Sequence, residues 1–161
     1  MLKKIIEQLR GELTALEEEL RITLPREIDS ARKLGDLKEN AEYHAAKDRQ
    51  KIVQARISML SERISDLAKI DLDRLPTDRA GLFSTLTVLS MEDERKITYT
   101  IVTNEESDLK KGLISLNSPL GKGFVGRQAG DEVKVTTPGG MKEFEILEVV
   151  TLHQKNAQAK R

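Results

Sequence analysis

The sequence contains no cysteine and no tryptophan, and only three phenylalanines and two tyrosines in 161 residues. Without cysteine there can be no disulfide framework, no thiolate metal site and no cysteine nucleophile. A reducing compartment fits that composition. Long apolar runs are missing too. The longest are a few residues, far short of the roughly 18 needed to cross a bilayer. The opening MLKKIIEQLR has no apolar stretch of the kind a signal peptide carries. A soluble, cytoplasmic protein with no membrane association is expected. Charge of one sign is also lacking, since 27 Lys and Arg balance 27 Asp and Glu. That balance excludes a globally basic chain that tracks phosphates. No P-loop, dinucleotide fingerprint or Ser/His/Asp set is visible.

What is present is unevenly distributed. Residues 1–75 hold only Gly11, Gly35, Pro25 and one aromatic, Tyr43, among dense charges of both signs. The remaining glycines, prolines and aromatics fall after residue 75. A charged, glycine-poor segment reads as exposed helix, and one with turn residues and β-branched residues reads as strands. Two domains are expected, residues 1–75 and 76–153, with a flexible tail at 154–161. The fold class is α+β.

Leu2, Ile6, Leu9, Leu13, Leu16 and Leu20 recur at alternating spacings of four and three, and so do Val53, Ile57, Leu60, Ile64 and Leu67. This is heptad spacing. The pairs Leu20/Val53, Leu16/Ile57, Leu13/Leu60, Leu9/Ile64 and Ile6/Leu67 share one sum of residue numbers, as facing positions of an antiparallel pair must. An antiparallel α-helical coiled-coil hairpin follows, with its tip at 34–37. The next layer, Thr23 against Gln50, is polar, and Pro25 removes a helical hydrogen bond, so the seam must shift or kink there. At ~1.5 Å per residue, each arm projects roughly 50 Å. Past residue 75, strands are expected at 82–91, 96–103, 112–117, 131–136 and 142–150. A turn at Thr136–Gly140 joins the last two, and Ser118-Pro119 opens a short helix. The expected core is Phe83, Val88, Ile101, Ile114, Val125, Val133, Phe144 and Ile146. His153 onward reads as patternless.

The chemistry-bearing residues gather at the tip. Asp36 and Glu39 are three apart, which on one helical turn brings two carboxylates to the same end. Two hard oxygen donors suit Mg²⁺, which takes one or two carboxylates and completes its shell with water and phosphate. The same Asp-x-x-Glu spacing is that of a capping box, with Asp36 as the N-cap. Arg32, Lys33, Lys38, Lys47, Arg49 and Lys51 could form a local basic strip or a solvated helix surface. Tyr43 could stack on a base or pack over the hairpin. His44 and His153 are too far apart in sequence to suggest a shared site.

Residues 35–46, Gly-Asp-Leu-Lys-Glu-Asn-Ala-Glu-Tyr-His-Ala-Ala, resemble the tip signature of the bacterial GreA/GreB transcript-cleavage factors. Residues 114–120, Ile-Ser-Leu-Asn-Ser-Pro-Leu, resemble the family's C-terminal docking segment, and Thr137–Gly140 its last turn. The match runs in order from residue 1 to about 152. Asn117 and an only moderately basic arm look more like the GreA branch than the GreB branch.

The resemblance implies an FKBP-like mixed β domain with a short helix that docks beside the secondary channel of RNA polymerase. It implies that the coiled coil enters that channel and stimulates endonucleolytic cleavage of the 3′ end of backtracked nascent RNA, rescuing arrested complexes. On this reading Asp36 and Glu39 help hold a Mg²⁺ of the polymerase active centre, and Tyr43 lies near that centre. Arg32 and Lys47 contact extruded RNA, and Asn117, Ser118 and Pro119 meet the polymerase. The protein would be a monomer with no cofactor of its own, activating another enzyme rather than acting as one. Two other classes stay open: an adapter without chemistry, and a peptidyl-prolyl isomerase suggested only by the implied fold.

Overall fold

A computed structural model describes residues 2–36 and 40–160. The chain divides into two compact units, Met1–Ile70 and Asp71–Arg161. Among the described residues no helix is long and apolar enough to cross a membrane.

The first unit is a helical hairpin. α1 (Leu2–Glu18) runs into a π-helical turn at Glu19–Thr23, and α2 (Leu24–Arg32) continues from it. α3 (Ala41–Ala68) returns alongside. With 28 residues, α3 is about 42 Å long. Val53, Leu60, Ile64 and Leu67 of the expected seam are buried, and Ile57 is half-buried. On the facing helix Leu9, Leu13, Leu16 and Leu20 are only half-buried, and the buried residues at its start are Leu2 and Ile5 rather than Ile6. Two helices cannot enclose a seam from all sides, so side chains stay partly wet.

Ion pairs tie the arms together. Arg49 donates to both carboxylate oxygens of Glu19 at 3.0 and 3.1 Å. Arg56 donates to Glu12 at 3.1 and 3.0 Å. Both pairs join g positions, one heptad apart on each helix and with equal sums of residue numbers, as an antiparallel register requires. The hydrogen bonds and charge of Glu19 raise the Arg49 guanidinium further above its already high pKa.

The second unit contains a five-stranded mixed sheet. β1 (Thr85–Ser90), β2 (Arg95–Val102), β3 (Leu113–Ser115), β4 (Glu132–Thr137) and β5 (Gly140–Val150) lie in the order β3-β2-β1-β5-β4. Only β2 and β3 are parallel; the other neighbours are antiparallel. β1 and β5 change register between Thr87 and Val88, opposite a bulge at Leu147. β4 and β5 are joined through Pro138 and Gly139, and the Thr137 hydroxyl donates to the Gly140 carbonyl at 2.8 Å.

α4 (Pro119–Phe124) packs on this sheet, and its two glycines explain how. A Cβ on Gly121 would lie 2.0 Å from the Ser115 carbonyl oxygen, and one on Gly123 would lie 2.7 Å from a Val135 methyl. The helix can approach only because both side chains are missing. It delivers Phe124 into the core, where Tyr99, Phe124 and Phe144 meet with centroid separations of 5.5–6.5 Å. Such aromatic contacts add to the area they bury.

Several expectations need correction. Val125 is 41% exposed and Phe124 is fully buried, because α4 ends at Phe124 and Val125 turns outward as its C-cap. Residues 82–84 precede β1. Phe83 is buried as expected but has a positive φ of 65°, unusual for a residue with a side chain. Its amide donates to the Ile101 carbonyl at 2.7 Å, and its carbonyl accepts from the Lys155 ammonium at 2.8 Å. The terminal segment, expected as a patternless tail, forms α5 (Leu152–Ala159). Thr151 and Gln154 make a reciprocal capping box there, with bonds of 3.3 and 3.0 Å.

Candidate functional site

The tip is built by the sequence around Gly35 and Asn40. α2 ends at Arg32, and the Leu34 amide bonds back to the Ala31 carbonyl at 3.1 Å. Gly35 follows with φ 141°, a conformation that residues with a Cβ avoid. α3 then starts at Ala41, with Asn40 as its N-cap in extended conformation. The Asn40 side-chain oxygen accepts from the Tyr43 amide at 3.1 Å, and its amide group donates across the tip to the Ala31 carbonyl. One side chain thus caps the returning helix and ties down the departing one.

The N-cap of α3 is therefore Asn40 and not Asp36. Asp36 lies four residues before the N-cap, exposed and outside both helices. Glu39 lies outside the described residues. Asp36 lines a shallow concavity with Leu34, Gly35, Asn40, Ala41 and Glu42. Its oxygens are the hard donors that Mg²⁺ takes. Among the described residues there is no group of three or more His, Cys, Asp or Glu that could hold a metal ion.

Arg32 and Tyr43 come together. The guanidinium carbon sits 6.0 Å from the Tyr43 ring centroid, at the edge of cation–π range. His44 meets the same ring edge-on, with centroids 5.7 Å apart. Tyr43 is half-buried, so it both packs on the hairpin and keeps a face in solvent. Lys47 is one turn further along α3 and donates to Gln50 at 3.3 Å. Arg26, Glu27, Glu42 and Arg49 surround a groove floored by Ala31, Ala45 and Ala46. Around this groove the distal arm carries charges of both signs; Lys38 of the expected basic strip lies outside the described residues.

In the second unit Asn117, Ser118 and Pro119 form the entry to α4. Ser118 is the N-cap: its hydroxyl accepts from the Gly121 amide at 3.1 Å and donates to the Ser115 carbonyl at 2.6 Å. Pro119 takes the first helical position, where its missing N–H costs nothing. The Asn117 amide donates to the Ser115 hydroxyl at 3.1 Å, and its side chain reaches Asn104 at 3.5 Å. Ser115 also donates to Asn104. Asn104 is a partner that sequence reasoning missed, because it reaches this segment from a separate loop after β2. Pro119 and Pro138 line one cleft, with Leu109, Leu113 and Leu120. Leu109 is largely exposed and was likewise missed. His153 Nε2 contacts the Leu75 carbonyl at 3.0 Å, so that nitrogen carries the proton.

Residues 1–68 match the family model described as "Transcription elongation factor, N-terminal". Residues 75–151 match the model described as "Transcription elongation factor, GreA/GreB, C-term". The chain is similar to the transcription elongation factor GreA of Aliarcobacter butzleri, at 49% identity over 122 residues, covering 76% of each chain. It is 45% identical to that of Nitratiruptor over 143 residues, covering 89% of this chain and 87% of the relative. It is 41% identical to that of Haemophilus influenzae over 144 residues, covering 89% and 91%. Both units and nearly the whole length are accounted for, and the chain belongs to the GreA/GreB family of transcription elongation factors.

Proposed function

We propose that this elongation factor acts on RNA polymerase by passing its helical hairpin into the secondary channel and stimulating Mg²⁺-dependent cleavage of the 3′ end of backtracked nascent RNA. The observation that carries the proposal is the position of Asp36, exposed in the tip loop and outside both helices while Asn40 caps α3. A carboxylate in an exposed loop at the end of an arm about 42 Å long suits a ligand delivered to a deep active centre.

Asp36 and Glu39 would each offer oxygen ligands to a Mg²⁺ shared with the polymerase. The metal would supply Lewis-acid stabilisation and an activated water for phosphodiester hydrolysis. This chain's part is to bring the carboxylates in and fix their approach. Arg32 and Tyr43 would supply a cation and an aromatic face at the same end of the arm, suited to phosphate and base of the extruded RNA. Lys47 adds a second cation one turn away. Asn117, Ser118 and Pro119 form a rigid, hydrogen-bonded corner that would meet the polymerase surface. The factor is then a helper of another enzyme's hydrolysis and works as a monomer without a cofactor of its own.

The test is a purified, backtracked elongation complex incubated with the factor and Mg²⁺. Rapid shortening of the RNA from its 3′ end and resumed elongation are expected. Binding to the polymerase without shortening would leave only an adapter role.

A further inference from the structure

A π-helical turn at Glu19–Thr23 interrupts the first arm between α1 and α2. Extending the heptad of Leu13, Leu16 and Leu20 past the turn would bring Thr23, Glu27 and Ser30 to the seam. Those three residues are exposed. The residues buried instead are Leu24 (1% exposed), Ile28 (8%) and Ala31 (3%), each one position later. The Leu24 amide bonds to the Glu19 carbonyl five residues back, the mark of one residue taken up in excess of α-helical pitch. One residue corresponds to about 100° around a helix.

We propose that this turn is the positioning element of the tip: by absorbing one residue it sets the rotational phase of α2, and so aims Ala31 and Arg32 at their partners on the returning chain. Ala31 gives its carbonyl to Asn40, and Arg32 sets its guanidinium over Tyr43. Both contacts need α2 turned to the seam that Leu24 and Ile28 define. Pro25 favours the irregularity just before it, since it offers no N–H to an ordinary turn. Glu19, the acceptor of the π bond, is also held by Arg49 from the facing helix. That brace fixes where along the arm the excess residue is stored. The functional consequence rests on the cleavage reading given above. The rotational phase of α2 stands without it.

Two length variants of the full chain test it, with amide hydrogen exchange, melting temperature and RNA cleavage as readouts. Deleting Ile22, an exposed residue of the turn, removes the excess. A continuous α-helix then carries the seam through Leu24, Ile28 and Ala31. The variant is expected to keep or raise the melting temperature, to slow exchange across the former turn, and to keep wild-type cleavage stimulation. Inserting one alanine after Ile22 leaves a second residue to be absorbed and rotates α2. It is expected to retain polymerase binding but to lose roughly 100-fold in cleavage stimulation, the scale on which small misplacements act. A deletion variant with an unfolded hairpin, or an insertion variant with full cleavage, would overturn the proposal. If wild-type protein itself stimulates no cleavage, the functional reading fails. The exchange and melting comparison of the deletion with wild type still decides whether the turn sets the phase of α2.

Discussion

Asn40 donates its side-chain amide to the carbonyl of Ala31, nine residues earlier, and closes the tip of the hairpin. The same side chain accepts from the Tyr43 amide. Asn40→Ala removes an N-cap and a cross-tip bond together. Losing such a cap costs about 0.5–2 kcal/mol, and the hairpin melting temperature should fall accordingly. Asp36→Ala, at an exposed position four residues before that cap, should cost less than Asn40→Ala. Equal losses in the two variants would contradict Asn40 as the main cap of the tip. Chemical denaturation of each variant, followed by far-ultraviolet circular dichroism, makes the comparison.

Gly121→Ala should be poorly tolerated in the second unit. The new Cβ would meet the Ser115 carbonyl, a backbone atom that cannot swing aside. Overpacking of this kind costs about 1–3 kcal/mol, and more where backbone must move. The adjacent corner of Asn117, Ser118 and Pro119 would shift with it, so polymerase affinity should drop along with stability. Gly139→Ala, with no close neighbour but Thr137 Oγ1 at 3.8 Å, serves as the control.

Ser118→Ala tests the same corner more gently. It deletes the α4 cap and the bond to the Ser115 carbonyl, for an expected cost of about 1 kcal/mol. Replacement by Thr, which retains a hydroxyl, should recover most of it. Urea melts of the three proteins, read at the aromatic near-ultraviolet signal of the Tyr99 cluster, measure both changes.

Two groups should shape stability at alkaline pH, in opposite directions. Partial burial lowers the Lys155 pKa from its usual 10.5 and raises that of Tyr99 from 10.0. Below 10.5 the unfolded chain binds more protons at Lys155 than the folded one, so stability rises with pH as 10.5 is approached. Above 10.0 the folded chain holds its Tyr99 proton longer, so stability falls as pH rises further. Lys155→Met should flatten the first slope and Tyr99→Phe the second. Melting temperatures between pH 8 and 11.5 would show it, and unchanged slopes would contradict it.

The hairpin was legible because heptad spacing is a local pattern with a geometric check, the equal sums across Leu20/Val53 and its neighbours. The π turn was legible only as a fault, since Thr23 and Pro25 announce that the seam breaks but not that one residue is stored. At the tip, Asp36-x-x-Glu39 and Asn40-x-x-Tyr43 both offer a capping geometry. Gly35 and the return distance to Ala31 decide for Asn40, and neither is visible in spacing. α5 was missed because its anchors are distant: Thr151 Oγ1 donates to the Thr77 carbonyl, and Lys155 reaches Phe83. Phe124 displaced Val125 from the core for a related reason. The glycines at 121 and 123 fix how α4 lies on the sheet, and the buried face follows from that contact rather than from hydropathy.

The most direct measurement is RNA cleavage in a backtracked elongation complex with Asp36→Asn in place of wild type. The substitution keeps size and polarity and removes only the charge that would face Mg²⁺. Folding and polymerase binding should match wild type, while stimulated cleavage falls by at least about tenfold, as for a perturbed metal shell, and recovers in part at raised Mg²⁺. Full cleavage by Asp36→Asn at ordinary Mg²⁺ would contradict a role for this carboxylate in the reaction.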